Sequence, residues 1–346
     1  MSYLIKDYYF PLLPNQIAQS PASKRDESKL MVISANSNQF IHTTFKNCIN
    51  FFNSGDLLVL NDTKVFPARL KGLKKSTGGK VEILLLKELS PNMWEALVSP
   101  AKRLKEGKEI VFNNTLEAKI VDRTKKGSRI LKFSPEGKLW DYIWKNGLTP
   151  LPPYIKKPLS DPNRYQTIYA KAIGSVAAPT AGLHFTKELL EKIKKKGVNI
   201  ATITLHIGLG TFRPVKTSDI REHKMEEEFF YIPPSTVALV NATKRNGKNI
   251  IAVGTTSLRA LETAYDEKQK AISSCSGTTN LFIYPGYEFK VVDALITNFH
   301  LPCSTLFILV CSFMGREKML TAYKEAIDKN YRFFSFGDAC LLLKKH

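Results

Sequence analysis

The sequence predicts an α/β fold: a larger α/β domain with a smaller antiparallel β-barrel domain inserted into it. Three observations predict it. From about residue 182 onward, strand-like apolar runs alternate with helical patterns, as in a largely buried sheet flanked by helices. Between residues 65 and 143, short strands recur instead, separated by Gly-, Pro- and Lys-rich turns, which suits a small barrel or sandwich. Residues 148–158 are too proline-rich for a helix and read as an extended hinge returning the chain to the larger domain. The expected domains are 1–62 with 149–346 for the α/β body and 63–148 for the barrel.

In order, the chain opens with Tyr8, Tyr9 and Phe10, a Pro-rich segment, and strand-like pieces at 30–33 and 56–60. Asn61-Asp62-Thr63 then marks a turn at a strand end, where α/β proteins place ligand groups, although an Asx-turn would read the same way. Barrel strands are expected at 65–70, 81–86, 94–98, 109–112, 116–122 and 129–133, with Thr77-Gly78-Gly79-Lys80 the clearest turn. Arg69, Lys74, Lys75, Lys102 and Arg103 make this domain basic and are its candidate RNA-binding residues.

Residues 174–215 organise the larger domain. Two loops of small residues flank one helix–strand unit, and each carries a histidine and a threonine: His184 with Thr180, and His206 with Thr211. Gly182, Gly208 and Gly210 would let backbone approach a ligand closely. Thr186 is placed to cap the helix, and the strand from 201 to 207 puts Thr202, Thr204 and His206 on one face. A further strand–helix unit spans 229–247. Another covers 250–263, where Thr255, Thr256 and Ser257 begin a helix bearing Arg259, an arrangement that suits an anion or simple capping. A buried strand at 291–296 leads to His300, and Ser304 starts an apolar helix.

Composition narrows the function classes. The chain of 346 residues is 43% hydrophobic and 24% charged, as in a globular protein, with 51 Lys and Arg against 31 Asp and Glu. The resulting charge of +20 favours a polyanionic partner. Five scattered cysteines without C-x-x-C spacing argue against structural zinc or a disulfide framework, so no metal is expected. No signal-peptide pattern opens the chain and its most apolar run, 306–313, is too short to span a bilayer, so a cytoplasmic protein without membrane attachment is expected.

The motifs resemble those of the S-adenosylmethionine:tRNA ribosyltransferase-isomerase family of queuosine biosynthesis. The similarity rests on residues 55–70, 77–86, 164–170, 174–215, 253–262, 297–302 and 331–339, so it spans nearly the whole chain. It implies transfer and rearrangement of the ribosyl portion of S-adenosylmethionine onto a 7-aminomethyl-7-deazaguanine in the tRNA anticodon. Epoxyqueuosine would form, and adenine and methionine would leave. Such chemistry needs a base beside the sulfonium, assistance to the departing adenine, polar contacts to the opened sugar and a deprotonated acceptor amine.

On that reading the candidate catalytic residues are His184, His206, Asp62 and His300. The candidate substrate-binding residues are Thr180, Gly182, Gly208, Gly210, Thr211, Arg213, Thr255, Thr256, Ser257 and Arg259, with Arg213 and Arg259 suited to the methionine carboxylate or a phosphate. Expected partners are tRNA and S-adenosylmethionine, with no cofactor beyond that co-substrate and a monomeric state. Two positions depart from the family pattern. Glu226 closes His223-Lys224-Met225-Glu226 where a histidine is usual, and Gly147-Leu148-Thr149-Pro150 lacks a histidine. A non-catalytic RNA-binding protein and an ordinary methyltransferase are the competing classes. Retained histidine-bearing loops oppose the first, and the missing Gly-x-Gly fingerprint opposes the second.

Overall fold

A strand without polar interruption can persist in a sheet only when both of its faces are covered, and the larger of this chain's two units is built that way. The computed structural model describes residues 2–113, 115–208, 215–273 and 276–344. One unit comprises Met1–Thr63, Pro153–Ala172 and Ala178–His346, and the other Lys64–Pro152 and Ile173–Ala177.

The chain begins the larger unit with β1 (Lys29–Ser34), β2 (Ile41–Thr44) and β3 (Leu57–Asn61), and leaves it at β4 (Thr63–Val65). The smaller unit holds β5 (Arg69–Lys74), β6 (Lys80–Ser90), β7 (Met93–Ser99), β8 (Glu109–Asn113), β9 (Leu116–Arg123), β10 (Arg129–Ser134) and α1 (Leu139–Asn146). After β11 (Ala172–Ser175) come α2 (Lys187–Lys195), β12 (Asn199–Leu205), β13 (Glu228–Tyr231), α3 (Pro234–Arg245), β14 (Ile250–Val253) and α4 (Gly254–Thr263). A short hairpin, β15 (Tyr265–Asp266) and β16 (Ala271–Ile272), precedes β17 (Ser276–Thr279), β18 (Ala294–Asn298), α5 (Thr305–Met314), α6 (Arg316–Asp328) and β19 (Ala339–Leu343).

Nine strands form the main sheet in the order β17-β13-β12-β3-β14-β18-β19-β1-β2. The central four, β12, β3, β14 and β18, run parallel, while β19 pairs antiparallel with β18 and parallel with β1. Alternation assigns the two faces. Leu58 and Leu60, Ile251 and Val253, and Ala294 and Ile296 join Phe45, Phe185, Leu189 and Ile193 in one core beneath α2. Leu57, Val59, Ile250, Ala252 and Leu295 are equally buried, and α3 and α4 pack on the central strands.

In the smaller unit, six strands close a barrel in the order β10-β7-β6-β5-β8-β9. Val81, Ile83 and Leu85 alternate with more exposed neighbours along β6, and Trp94, Ala96 and Val98 do so along β7, so one side fills the interior. The α/β body with an antiparallel barrel therefore matches the expected fold class.

Of the strand boundaries that differ from expectation, three have a clear local reason. The strand expected at 65–70 starts only at Arg69, after Pro67, which has no N–H for a ladder. The strand expected at 201–207 ends at Leu205, and the His206 amide donates to the Phe229 carbonyl just beyond it. The strand expected at 291–296 starts at Ala294, because the Val291 and Val292 amides donate to the Glu262 carboxylate at 3.1 and 2.9 Å. Thr186 and Ser304 cap their helices as expected, each accepting from an amide three residues on.

Candidate active site

The C-terminal ends of parallel strands gather ligand groups because helix starts and loop side chains converge there. In this sheet β3 ends into Asp62, β12 into His206, β14 into Gly254-Thr255-Thr256-Ser257, and β18 into Asn298-Phe299-His300. Four motifs scattered through the sequence thus reach one edge of the sheet. Beside them lies a cleft whose lining includes Thr180, Gly254, Thr255, Thr256, Asn298 and His300.

Asp62 and His206 form one corner of this edge. The Thr204 hydroxyl donates to Asp62 Oδ1 at 2.6 Å, and His206 Nδ1 lies 2.8 Å from the Thr63 hydroxyl. The imidazole stacks on Phe229 with centroids 5.6 Å apart. Partial burial pulls the His206 pKa below its ordinary value, and the negative charge of Asp62 opposes that shift. The ring is thus neutral at pH 7 and able to accept a proton. Asn61 braces the corner: its side chain exchanges hydrogen bonds with the Leu205 backbone at 3.0 Å each and donates to Thr256 Oγ1 at 3.2 Å. Strands β3 and β12 and the start of α4 are tied together through that one amide.

His184 and His300 have different surroundings. Asn298 Nδ2 lies 3.1 Å from His184 Nε2, and the Ser28 hydroxyl lies 2.7 Å from Nδ1, so both ring nitrogens have partners. Phe45 stacks on the ring at 4.9 Å. Burial, reinforced by the charge of Arg332, pulls the His184 pKa down to about 3. His300 sits 2.9 Å from the Thr297 hydroxyl, and burial pulls it down to about 3 as well. These two candidate catalytic histidines are held neutral, because desolvation penalises the imidazolium form.

The remaining predicted residues divide by geometry. Thr180 donates to Asn298 Oδ1 at 2.9 Å, fixing the amide that faces His184. Gly182 does meet a close neighbour, but from within the protein: a Cβ there would lie 2.1 Å from the Tyr169 hydroxyl and 2.8 Å from the Thr167 methyl. Gly254 has φ of +85° at the turn from β14 into α4, a backbone that L side chains rarely adopt. It leads into Thr255 and Thr256, both buried at the edge of the cleft, whereas the Ser257 hydroxyl turns back to the Val253 carbonyl at 2.8 Å. The Gly208 amide donates to Glu228 Oε1 at 3.0 Å.

Arg259 occupies a setting unlike the free anion-binding group expected of it. It is 3% exposed, its guanidinium pairs with the buried Glu228 carboxylate, and Nε donates to the Leu281 carbonyl at 2.9 Å. Gly210, Thr211 and Arg213 lie outside the described residues. In the barrel unit, Lys75 is engaged by Glu109 and Glu117 at 3.1 and 2.8 Å, and Arg69 by Glu82 at 3.0 Å. Lys102 and Arg103 are exposed, Lys74 is half-buried, and none of the three belongs to an ion pair among the described residues. No group of three His, Cys, Asp or Glu side chains among the described residues is arranged to hold a metal, and no described helix is long and apolar enough to cross a membrane.

Sequence reasoning missed Asn61, Asn298, Thr63 and Thr204. The signal for the first two was an asparagine closing an apolar strand, a position where its amide can bridge to the neighbouring strand or loop.

Comparison with known proteins places the chain in a family. The family described as "Queuosine biosynthesis protein" matches residues 5–342. An S-adenosylmethionine:tRNA ribosyltransferase-isomerase from Caldanaerobacter subterraneus subsp. tengcongensis is 53% identical over 338 residues, covering 97% of this chain and 99% of the relative. Another of that name, from Acetivibrio thermocellus, is 51% identical over 339 residues, covering 98% of this chain and 99% of the relative. The crystal structure of an S-adenosylmethionine tRNA ribosyltransferase from Thermotoga maritima is similar with a TM-score of 0.56 at 40% identity, covering 97% of this chain and all of that one.

Proposed function

The chain belongs to the queuosine biosynthesis protein family and is an S-adenosylmethionine:tRNA ribosyltransferase-isomerase, and from that premise we propose how its site performs the reaction. The ribosyl portion of S-adenosylmethionine passes to the aminomethyl group of a 7-aminomethyl-7-deazaguanine in the tRNA anticodon. Epoxyqueuosine forms, and adenine and methionine leave. No cofactor beyond the donor takes part, and the enzyme acts as a monomer.

The observation that carries this reading is that Asp62 and His206 meet at neighbouring strand ends, each fixed by a threonine hydroxyl, on the edge of the sheet where the cleft opens next to Ile207 and Thr256. The sulfonium acidifies the adjacent carbon, so a base there needs only moderate strength and the right position. A carboxylate fixed by Thr204 and a neutral imidazole anchored at Thr63 supply both. Thr255 and Thr256, in the first turn of α4, offer the opened sugar hydroxyls and helix-start amides that no side chain caps. His300 is neutral and lines the cleft, so it serves as a hydrogen-bonding group rather than a cationic acid. His184 serves through Asn298, which it holds at the cleft wall.

Incubation with S-adenosylmethionine and tRNA bearing the aminomethyl-deazaguanine, without added metal, should release adenine in step with modified base. Formation of S-adenosylhomocysteine without adenine would show methyl transfer and defeat the reading.

A further inference from the structure

A second, small cleft is lined by His184 and by three arginines, Arg25, Arg164 and Arg332. Its wall shares Ser335 with the strand-end cleft, and the His184–Asn298 hydrogen bond links the two linings. Backbone carbonyls set the guanidiniums in place. Arg25 donates to the Leu183 and Asn163 carbonyls at 3.0 Å each, Arg164 donates to the Ser23 and Ala22 carbonyls, and Arg332 reaches the Ser20 carbonyl at 3.3 Å.

Carbonyls orient a guanidinium but do not neutralise it. The carboxylate touching this group, Asp338, is buried and committed to the Lys29 and Arg332 amides at 3.0 and 2.8 Å, leaving a 3.4 Å contact to the Arg332 guanidinium. Among the described residues, buried Arg164 Nε finds no hydrogen-bond partner. Burial, and then the charge of Arg164, pull Arg25 below the usual guanidinium range, and the negative charge of Asp161 only partly opposes them. An oxyanion entering the cleft would relieve that repulsion and occupy planar donors suited to carboxylate geometry.

We propose that this cleft is the carboxylate subsite for the methionine end of S-adenosylmethionine, formed by Arg25, Arg164 and Arg332. The assignment rests on the transferase reading and goes beyond it. Two neighbouring clefts that share Ser335 in their walls match a donor whose nucleoside and amino-acid ends are joined through sulfur. The half-buried arginines and confined space favour this small anion over a polynucleotide phosphate, which needs an open track.

The test compares equilibrium binding of S-adenosylmethionine with that of its decarboxylated analogue. The wild-type protein should prefer the carboxylated donor roughly 10- to 100-fold, as expected for charge-assisted hydrogen bonds. Arg164→Gln and Arg332→Gln should each shrink that preference to a few-fold while leaving affinity for the analogue unchanged. Arg332 is held less tightly by the protein, so its variant reads the subsite even where Arg164→Gln unfolds. A wild-type protein indifferent to the carboxylate, or variants retaining the full preference, would overturn the assignment while leaving the transferase reading intact. Variants that weaken tRNA binding but keep the donor preference would overturn it in favour of an RNA phosphate. Binding of neither donor would overturn the transferase reading as well.

Discussion

His206 Nδ1 and the Thr63 hydroxyl meet at 2.8 Å, which places the imidazole beside the strand end that carries Asp62. The contact fixes the ring without burying it fully, so replacing the ring should cost chemistry rather than folding. His206→Ala is expected to melt within a few degrees of wild type and to lose roughly 10²–10⁴-fold in single-turnover rate, the range for a positioned base. Thr63→Val, which keeps the shape and removes the hydroxyl, should fall between the two. Wild-type single-turnover rates in folded His206→Ala would remove this histidine from the mechanism.

His184 should behave in the opposite way. Ser28, Asn298 and Phe45 enclose it, so His184→Ala leaves a cavity and unpaired polar groups. A loss of about 1–3 kcal/mol in chemical denaturation is expected for the stranded hydrogen-bond partners alone. An unchanged denaturation midpoint would contradict that packing.

Acid should expose both buried histidines. His184 and His300 titrate near 3 in the folded chain against an ordinary value of 6.5, so the unfolded state binds protons that the folded state refuses. Stability is therefore intact above pH 6.5 and falls as pH drops from there toward 3. The slope is up to about 1.4 kcal/mol per pH unit for each ring. Melting curves between pH 7 and 4.5 should show it, and His300→Gln should flatten it. An equally steep decline in that variant would assign the acid sensitivity to other groups.

Arg259 and Glu228 form a buried ion pair, and removing one partner leaves the other charged and unsolvated. Arg259→Ala should cost about 3–5 kcal/mol of stability. A donor-specific rise in KM with unchanged stability would show instead that the guanidinium binds ligand.

Binding of tRNA should weaken as salt rises, because the chain carries a charge of +20. Lys102→Glu and Arg103→Glu should raise the KM for tRNA more than that for the donor. Where the replaced side chain meets a phosphate, the slope of the log–log salt dependence should also become shallower by about one. Lys75→Glu should damage the barrel first, since it would face Glu109 and Glu117. Equal salt dependence in wild type and both exposed variants would place the RNA surface elsewhere.

The central strands were legible because burial on both faces leaves an unmistakable apolar run, as in Leu57–Asn61 and Ile250–Val253. Helix caps were legible for the same local reason: Thr186 and Ser304 act within one turn of themselves. Other elements escaped. Nothing local distinguishes α1, or separates Ala339–Leu343 from a short buried helix, and its partners are set by topology. At the site, the sequence marked the residues but not their surroundings. His184 and His206 occupy similar loops on paper, yet a phenylalanine and an asparagine from distant segments bury one ring, while the other remains half-buried. Arg25, Arg164 and Arg332 likewise share a cleft that no spacing between them announces.

The position of β19 bears on how the protein is made. Leu30 pairs with Ala339 and Ile33 with Leu342, and β19 is also the neighbour that joins β18 to this side of the sheet. On the ribosome β1 is among the first strands of this sheet to emerge, yet among the described residues its partner until translation reaches residue 339 is the short strand β2. At ordinary elongation speeds that wait lasts on the order of tens of seconds. During it, the Leu30–Ile33 edge stands open to wrong partners, so synthesis of this enzyme depends on whatever shields a nascent apolar strand.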